Sequence, residues 1–106
     1  MRIRILPEAE RDLEIGCDFY DSQSPGAARF FLRGLLDDID GLLKHAGVHE
    51  LDCGFFRAIS KRFPFAIFYA LSEDTIDIYA VLDCRQDPAA ITARLGERSI
   101  DRETRS

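Results

Sequence analysis

The hydrophobic period of this chain changes once, near residue 50. From Pro7 to about Ala46, apolar residues recur at helical spacing. From Phe55 to Asp83 they alternate or run on continuously, as strands do. Helical and strand patterns are therefore segregated along the chain, which excludes an alternating β-α-β layout and predicts an α+β fold. With 106 residues there is room for one domain, and the sequence assigns residues 1–95 to it and 96–106 to a charged, frayed tail.

The elements can be placed more closely. Arg2-Ile3-Arg4-Ile5 alternates like a half-buried strand, and Pro7 suits the first turn of a helix with Glu8 and Glu10 near its positive end. Ala9, Leu13, Gly16, Cys17 and Tyr20 carry that helix to about Asp21. Ser24-Pro25-Gly26 reads as a second start, with Ser24 as N-cap. Ala28, Phe31, Leu32, Leu35, Ile39, Leu42 and Leu43 then form one broad apolar stripe, and Gly47 stops the helix near His45-Ala46. The short link predicts an antiparallel helix hairpin. Gly34 and Gly41 lie off the stripe, and two glycines on one helix face predict close approach of another backbone, with the partner helix as the first expectation.

A loop around His49–Gly54 follows. Phe55, Arg57, Ile59, Lys61 and Phe63 share one strand face up to Pro64, and Phe65 to Leu71 form a second, apolar strand. Ser72-Glu73-Asp74 is a tight turn. Ile76, Ile78, Ala80 and Leu82 share a face of the last strand, and Asp87-Pro88 opens a short helix to about Leu95. The expected layout is an N-terminal strand, a helix hairpin, a three-stranded antiparallel meander and a short C-terminal helix. Since one helix pair covers only one sheet face, the apolar second face needs another cover. Either a partner segment or the stretch Ala89–Leu95 folded back as a lid would serve, and both remain open here.

Composition narrows the function classes. A net charge of −5 argues against a broad basic surface for nucleic acid. Residues 51–70 form the only net-positive segment, through Arg57, Lys61 and Arg62. Cys17, Cys53 and Cys84 are odd in number and widely spaced, as expected of reduced thiols in a cytoplasmic protein. No apolar run approaches the roughly 18 residues of a membrane span, and the opening residues do not read as a signal peptide. His45 and His49 stand near Glu50 and Asp52, but Gly47 interrupts their register, so no metal or cofactor is expected.

Four stretches carry a family resemblance: Arg4-Ile5-Leu6-Pro7-Glu8-Ala9-Glu10-Arg11-Asp12-Leu13, Ser24-Pro25-Gly26-Ala27-Ala28-Arg29-Phe30, Lys61-Arg62-Phe63-Pro64-Phe65-Ala66-Ile67-Phe68-Tyr69, and Ala80-Val81-Leu82-Asp83-Cys84-Arg85-Gln86-Asp87-Pro88. In this order and spacing the chain resembles the RelE/ParE toxin superfamily, closest to its ParE-like, plasmid-stabilisation branch. The resemblance implies a type II toxin held inactive by a cognate antitoxin, in a homodimer or a toxin–antitoxin heterotetramer. ParE-like members inhibit DNA gyrase by binding. RelE-like members are metal-independent endoribonucleases that cut mRNA on the ribosome.

For a nuclease, Arg57, Lys61 and Arg85 are the available cations. The hairpin position where that branch has an arginine is Ala66 here, Asp83 stands beside Arg85, and no Tyr, His or Lys follows Tyr79. An acid and a base for the RNA 2′-hydroxyl chemistry are thus missing from the place they are expected. The sequence favours gyrase inhibition, with the RelE-like nuclease and a toxin-fold interaction module without activity as alternatives. Arg57, Lys61, Arg62, Phe68, Tyr79 and Arg85 are the expected partner-binding residues. The acidic composition further predicts an antitoxin bound through apolar burial or basic residues.

Overall fold

The computed structural model describes the backbone of residues 1–105 and the side chains of residues 1–100. It contains β1 (Arg2–Ile5), α1 (Pro7–Gln23), α2 (Ala27–His45), β2 (Leu51–Asp52), β3 (Phe55–Ile59), β4 (Phe65–Ser72), β5 (Thr75–Asp83) and α3 (Pro88–Arg105). The sheet order is β1-β5-β4-β3-β2, antiparallel except for β1, which lies parallel to β5 with Ile3 opposite Ile76 and Ile5 opposite Ile78.

Pro7 ends β1 and begins α1, where its missing N–H costs nothing. The start of α2 differs from expectation. Gly26, at φ 86°, is the N-cap, and the Asp21 carboxylate accepts the Ala28 N–H at 2.9 Å; Ser24 closes α1 instead. Within the supposed loop, β2 pairs with β3 across Cys53 and Gly54, whose φ values of 54° and 85° match a two-residue turn with both central residues left-handed.

The hairpin packs on one sheet face. Phe31, Leu35, Ile39, Ile67, Tyr69, Ile76 and Ile78 form its core, with Phe31 stacked on Tyr20 at 4.9 Å and tilted against Phe65 at 4.8 Å. Gly16 marks the tightest point, since a Cβ there would lie 2.5 Å from the Phe31 ring. The glycines singled out in α2 behave differently from the sequence reading. A Cβ on Gly34 would meet the Phe63 ring at 2.7 Å rather than a helix backbone, and Gly41 faces open space. Phe63 also leaves the face it was expected to share with Phe55: β3 ends at Ile59, and the following loop carries Phe63 to the helix side.

A bulge divides β5. Ala80 pairs with Phe68 but Ile78 pairs with Tyr69, so Tyr79 is the extra residue. Ile76 and Ile78 therefore face the helix pair, whereas Ala80 and Leu82 face the other side, contrary to the single face read from their spacing. That second face is covered by α3: Phe55, Phe68, Tyr79 and Leu82 pack with Leu95, which is fully buried. The cover is longer than the sequence suggests. The helix runs past Leu95 to Arg105 because Arg98 is held inside. Expectations for Ser106 and for side chains beyond residue 100 lie outside the described residues.

Arg98 donates to both oxygens of Asp12 in α1, at 3.0 Å through Nη2, and to the Tyr79 carbonyl at 2.9 Å. Asp12 in turn accepts the Val81 N–H at 2.9 Å. Both side chains are buried. A second carboxylate, Asp77, joins β5 to β1. Its burial favours the neutral form, but bonds from Arg4, Ser72 and Thr75 outweigh this and hold its pKa below the usual carboxylate value.

Arg98→Ala should cost about 3–5 kcal/mol in denaturant unfolding, because it strands a buried carboxylate. Arg98→Lys should recover only part, lacking the fork that reaches both Asp12 and Tyr79. Gly16→Ala should destabilise by about 1–3 kcal/mol, whereas Gly41→Ala should stabilise by about 0.5–1 kcal/mol, with thermal unfolding separating the two signs.

Candidate functional site

The β3–β4 connection and the exit of β5 bring Lys61, Arg62 and Arg85 to one end of the sheet, with Arg57 two rungs inside it. The loop is fixed from α2. Asp38 accepts the Ser60 hydroxyl at 2.6 Å and the Lys61 N–H at 3.2 Å, leaving the Lys61 and Arg62 side chains exposed.

Arg85 is committed locally. Its Nε and Nη2 donate to the two Asp83 oxygens at 3.0 and 2.8 Å, and its backbone N–H adds a third bond at 2.8 Å. Those bonds, opposed by partial burial, hold the Asp83 pKa below the usual carboxylate value. The pair therefore stays ionised, and its net charge stays near zero, until pH falls through that lowered value. The guanidinium also lies 5.8 Å from the Phe19 ring centroid, which turns it toward α1.

Arg57 points to the opposite face. It lines a groove of about 190 Å³ beneath α3 with Asp52, Phe68, Cys84, Ile91 and Thr92. Its Nε is 4.0 Å from Asp52, and its Nη2 is 3.9 Å from the Cys84 sulfur. Lys61 lines a cavity beside α2 that also includes His45 and His49. The three cations named for a nuclease are thus dispersed around the sheet end, facing α3, α2 and α1 respectively.

Two expected contact residues are not surface residues. Phe68 and Tyr79 lie 1% and 4% exposed in the core under α3, so a partner cannot reach them while that helix is docked. Their apolar alternation is a core signal, satisfied within the chain. His49 is similarly absorbed: its Nδ1 is 2.6 Å from the Tyr69 hydroxyl, which also accepts the Gly47 N–H at 2.9 Å. Among the described residues, no three His, Cys, Asp or Glu side chains converge as metal ligands. No described helix is long and apolar enough to cross a membrane.

Apolar side chains stand exposed on the helix pair, among them Leu32 and Leu43, which the sequence placed in the buried stripe of α2. On α2, Phe30 is 75% exposed, while Leu32 and Leu36 line a shallow groove with Cys17 of α1. Ile15 and Phe19 of α1 flank a separate slot beside the end of β5, with Arg94 of α3 at its rim. Ile15 and Phe19 are visible in sequence as residues off the main helical stripe. Arg94 is not, because nothing local places it beside them.

No protein-family model matches the chain, and no curated protein matches it. Among solved structures, one described as "Chromosomal ParDE TA system from P. aeruginosa" contains a chain that superposes with a TM-score of 0.69. The two are 19% identical, and the match covers 76% of this chain and 92% of that one. The likeness is one of fold: a ParE-like α+β arrangement of strand, helix pair, sheet and C-terminal helix.

Replacing Asp83 tests the electrostatic reading of this end. Asp83→Asn should free the Arg85 charge and lengthen retention on a heparin column at neutral pH, while changing unfolding free energy by no more than about 1 kcal/mol.

Proposed function

We infer that the chain is the toxin of a toxin–antitoxin pair, that it acts in the cytoplasm by binding DNA gyrase, and that a cognate antitoxin neutralises it. The observation that carries this choice over RNA cleavage is the state of Arg85 within a ParE-like fold. The cation best placed by the family motif is clamped by Asp83, and Arg57 and Lys61 face other sides of the sheet end. Cleavage at a 2′-hydroxyl needs cations converging on one phosphate, together with a base and an acid. Binding needs only a complementary surface.

The antitoxin contact is assigned to the flank of α2 where Leu32, Leu36 and Leu43 are exposed along one stripe. An amphipathic helix laid across that flank would bury them, in keeping with an acidic protein whose partner is held by apolar contact. Arg57, Lys61, Arg62 and Arg85 remain the cations proposed for partner contact at the sheet end.

Pulse labelling after inducing this chain alone in a bacterial host tests the target. DNA synthesis should fall before protein synthesis, and Arg85→Ala should weaken the effect without abolishing it. Early loss of protein synthesis, abolished by Arg85→Ala, would replace this reading with the nuclease. Soluble protein with neither effect would leave an interaction module without activity.

A further inference from the structure

β1 stops at Ile5, yet β5 continues to Asp83, so residues 79–83 have no neighbouring strand on that side. The pairing of Ile67 with Val81 and Phe65 with Asp83, together with the Cys84 N–H on the Pro64 carbonyl, turns the Val81 and Asp83 peptide groups away from β4. Two of the outward groups are satisfied internally, since Arg98 takes the Tyr79 carbonyl and Asp12 takes the Val81 N–H. Among the described residues, the Val81 carbonyl and the Asp83 N–H meet no partner.

These two groups border a cavity of about 290 Å³ between α1 and α3. Ile15 and Phe19, 52% and 43% exposed, form one wall, Phe65 contributes below, and Arg94 and Gln86 stand at the rim. The cavity's carboxylates are already engaged, Asp12 by Arg98 and Asp83 by Arg85. Arg94 makes no ion pair among the described residues, so the uncommitted charge here is positive.

An acceptor on Val81 and a donor on Asp83, two residues apart, are what one residue of a parallel strand uses. Its N–H reaches the first and its carbonyl receives the second. A helix cannot engage them, because its own peptide groups are bonded internally. We propose that this slot binds an extended peptide segment of a partner protein, added as a short strand parallel to β5. The residue that makes both bonds lies opposite Leu82 and turns its side chain, a carboxylate, toward Arg94 on the α3 side, while an apolar neighbour in the segment lies against Ile15 and Phe19. This mode of strand addition is independent of the gyrase reading and of the antitoxin surface on α2.

The test is a titration of the full ¹⁵N-labelled chain with a pentapeptide, Thr-Val-Asp-Leu-Thr, blocked at both ends, and with the same peptide methylated on the aspartate nitrogen. The Asp83 amide should move downfield and saturate, with smaller shifts at Ile15, Phe19 and Arg94. Backbone methylation should weaken binding by about tenfold or more, as should Arg94→Glu, an exchange on the exposed face of α3 that leaves the fold intact. Equal binding of the methylated peptide would overturn the strand mode. An Asp83 amide unmoved by millimolar peptide would overturn the site. Shifts that follow concentration of the protein alone would assign the slot to a second copy of the chain instead.

Discussion

The buried ion pair between Asp12 and Arg98 stands where the sheet would otherwise fail. Strand β5 outruns its only neighbour on one side, and an unpaired edge inside the protein leaves backbone groups that water cannot reach. Asp12 accepts the N–H of Val81 and Arg98 takes the carbonyl of Tyr79, so two side chains do the work of a missing strand. Their mutual bond then neutralises both charges. Because one partner comes from α1 and the other from α3, the same contact joins the helix on one face of the sheet to the helix on the other. Neither helix can shift without stranding a charge or a backbone group.

With that tie in place, a small chain supports two cores. The helix hairpin covers the face built on Phe31, Leu35 and Ile78, and α3 covers the face built on Phe55, Phe68 and Leu82. Closing the second face internally changes what is left for recognition. Phe68 and Tyr79 are spent on α3, and α1 and α2 contribute Ile15, Phe19, Phe30, Leu32, Leu36 and Leu43 to the exposed apolar surface. At the charged end of the sheet, Asp83 and Asp38 hold Arg85 and the β3–β4 loop by short, geometrically defined bonds.

Much of the architecture was legible because it follows from local pattern. The Pro7 start of α1, the Gly47 stop of α2 and the turn before Thr75 are signals contained within a few residues. What was not legible depends on register or on distance along the chain. The bulge at Tyr79 reverses which side Ile78 and Ala80 face, and alternation alone cannot register one extra residue. Asp12 and Arg98 are 86 residues apart, so Arg98 reads as one more charge in a polar tail. Gly34 has a close neighbour, but it is the Phe63 ring and not the backbone that the glycine pattern predicts. The site residues follow the same rule: Asp83 and Arg85 stand two residues apart in sequence, while Phe68 and Tyr79 owe their burial to Ile91 and Leu95, whose packing on the sheet no local signal reveals.

The parallel pairing of β1 with β5 has a consequence for the chain as it is made. Arg2 pairs opposite Thr75 and Ile5 opposite Ile78, so the first strand to leave the ribosome has no place in the sheet until some seventy further residues have followed it. The helix hairpin can assemble early from local contacts, but it has no sheet to rest on, and α1 carries an unpaired Asp12 until Arg98 appears. High contact order of this kind delays completion and penalises every shortened product. The slot between α1, β5 and α3 consequently takes shape only after α3 has been made, and a partial product presents none of it.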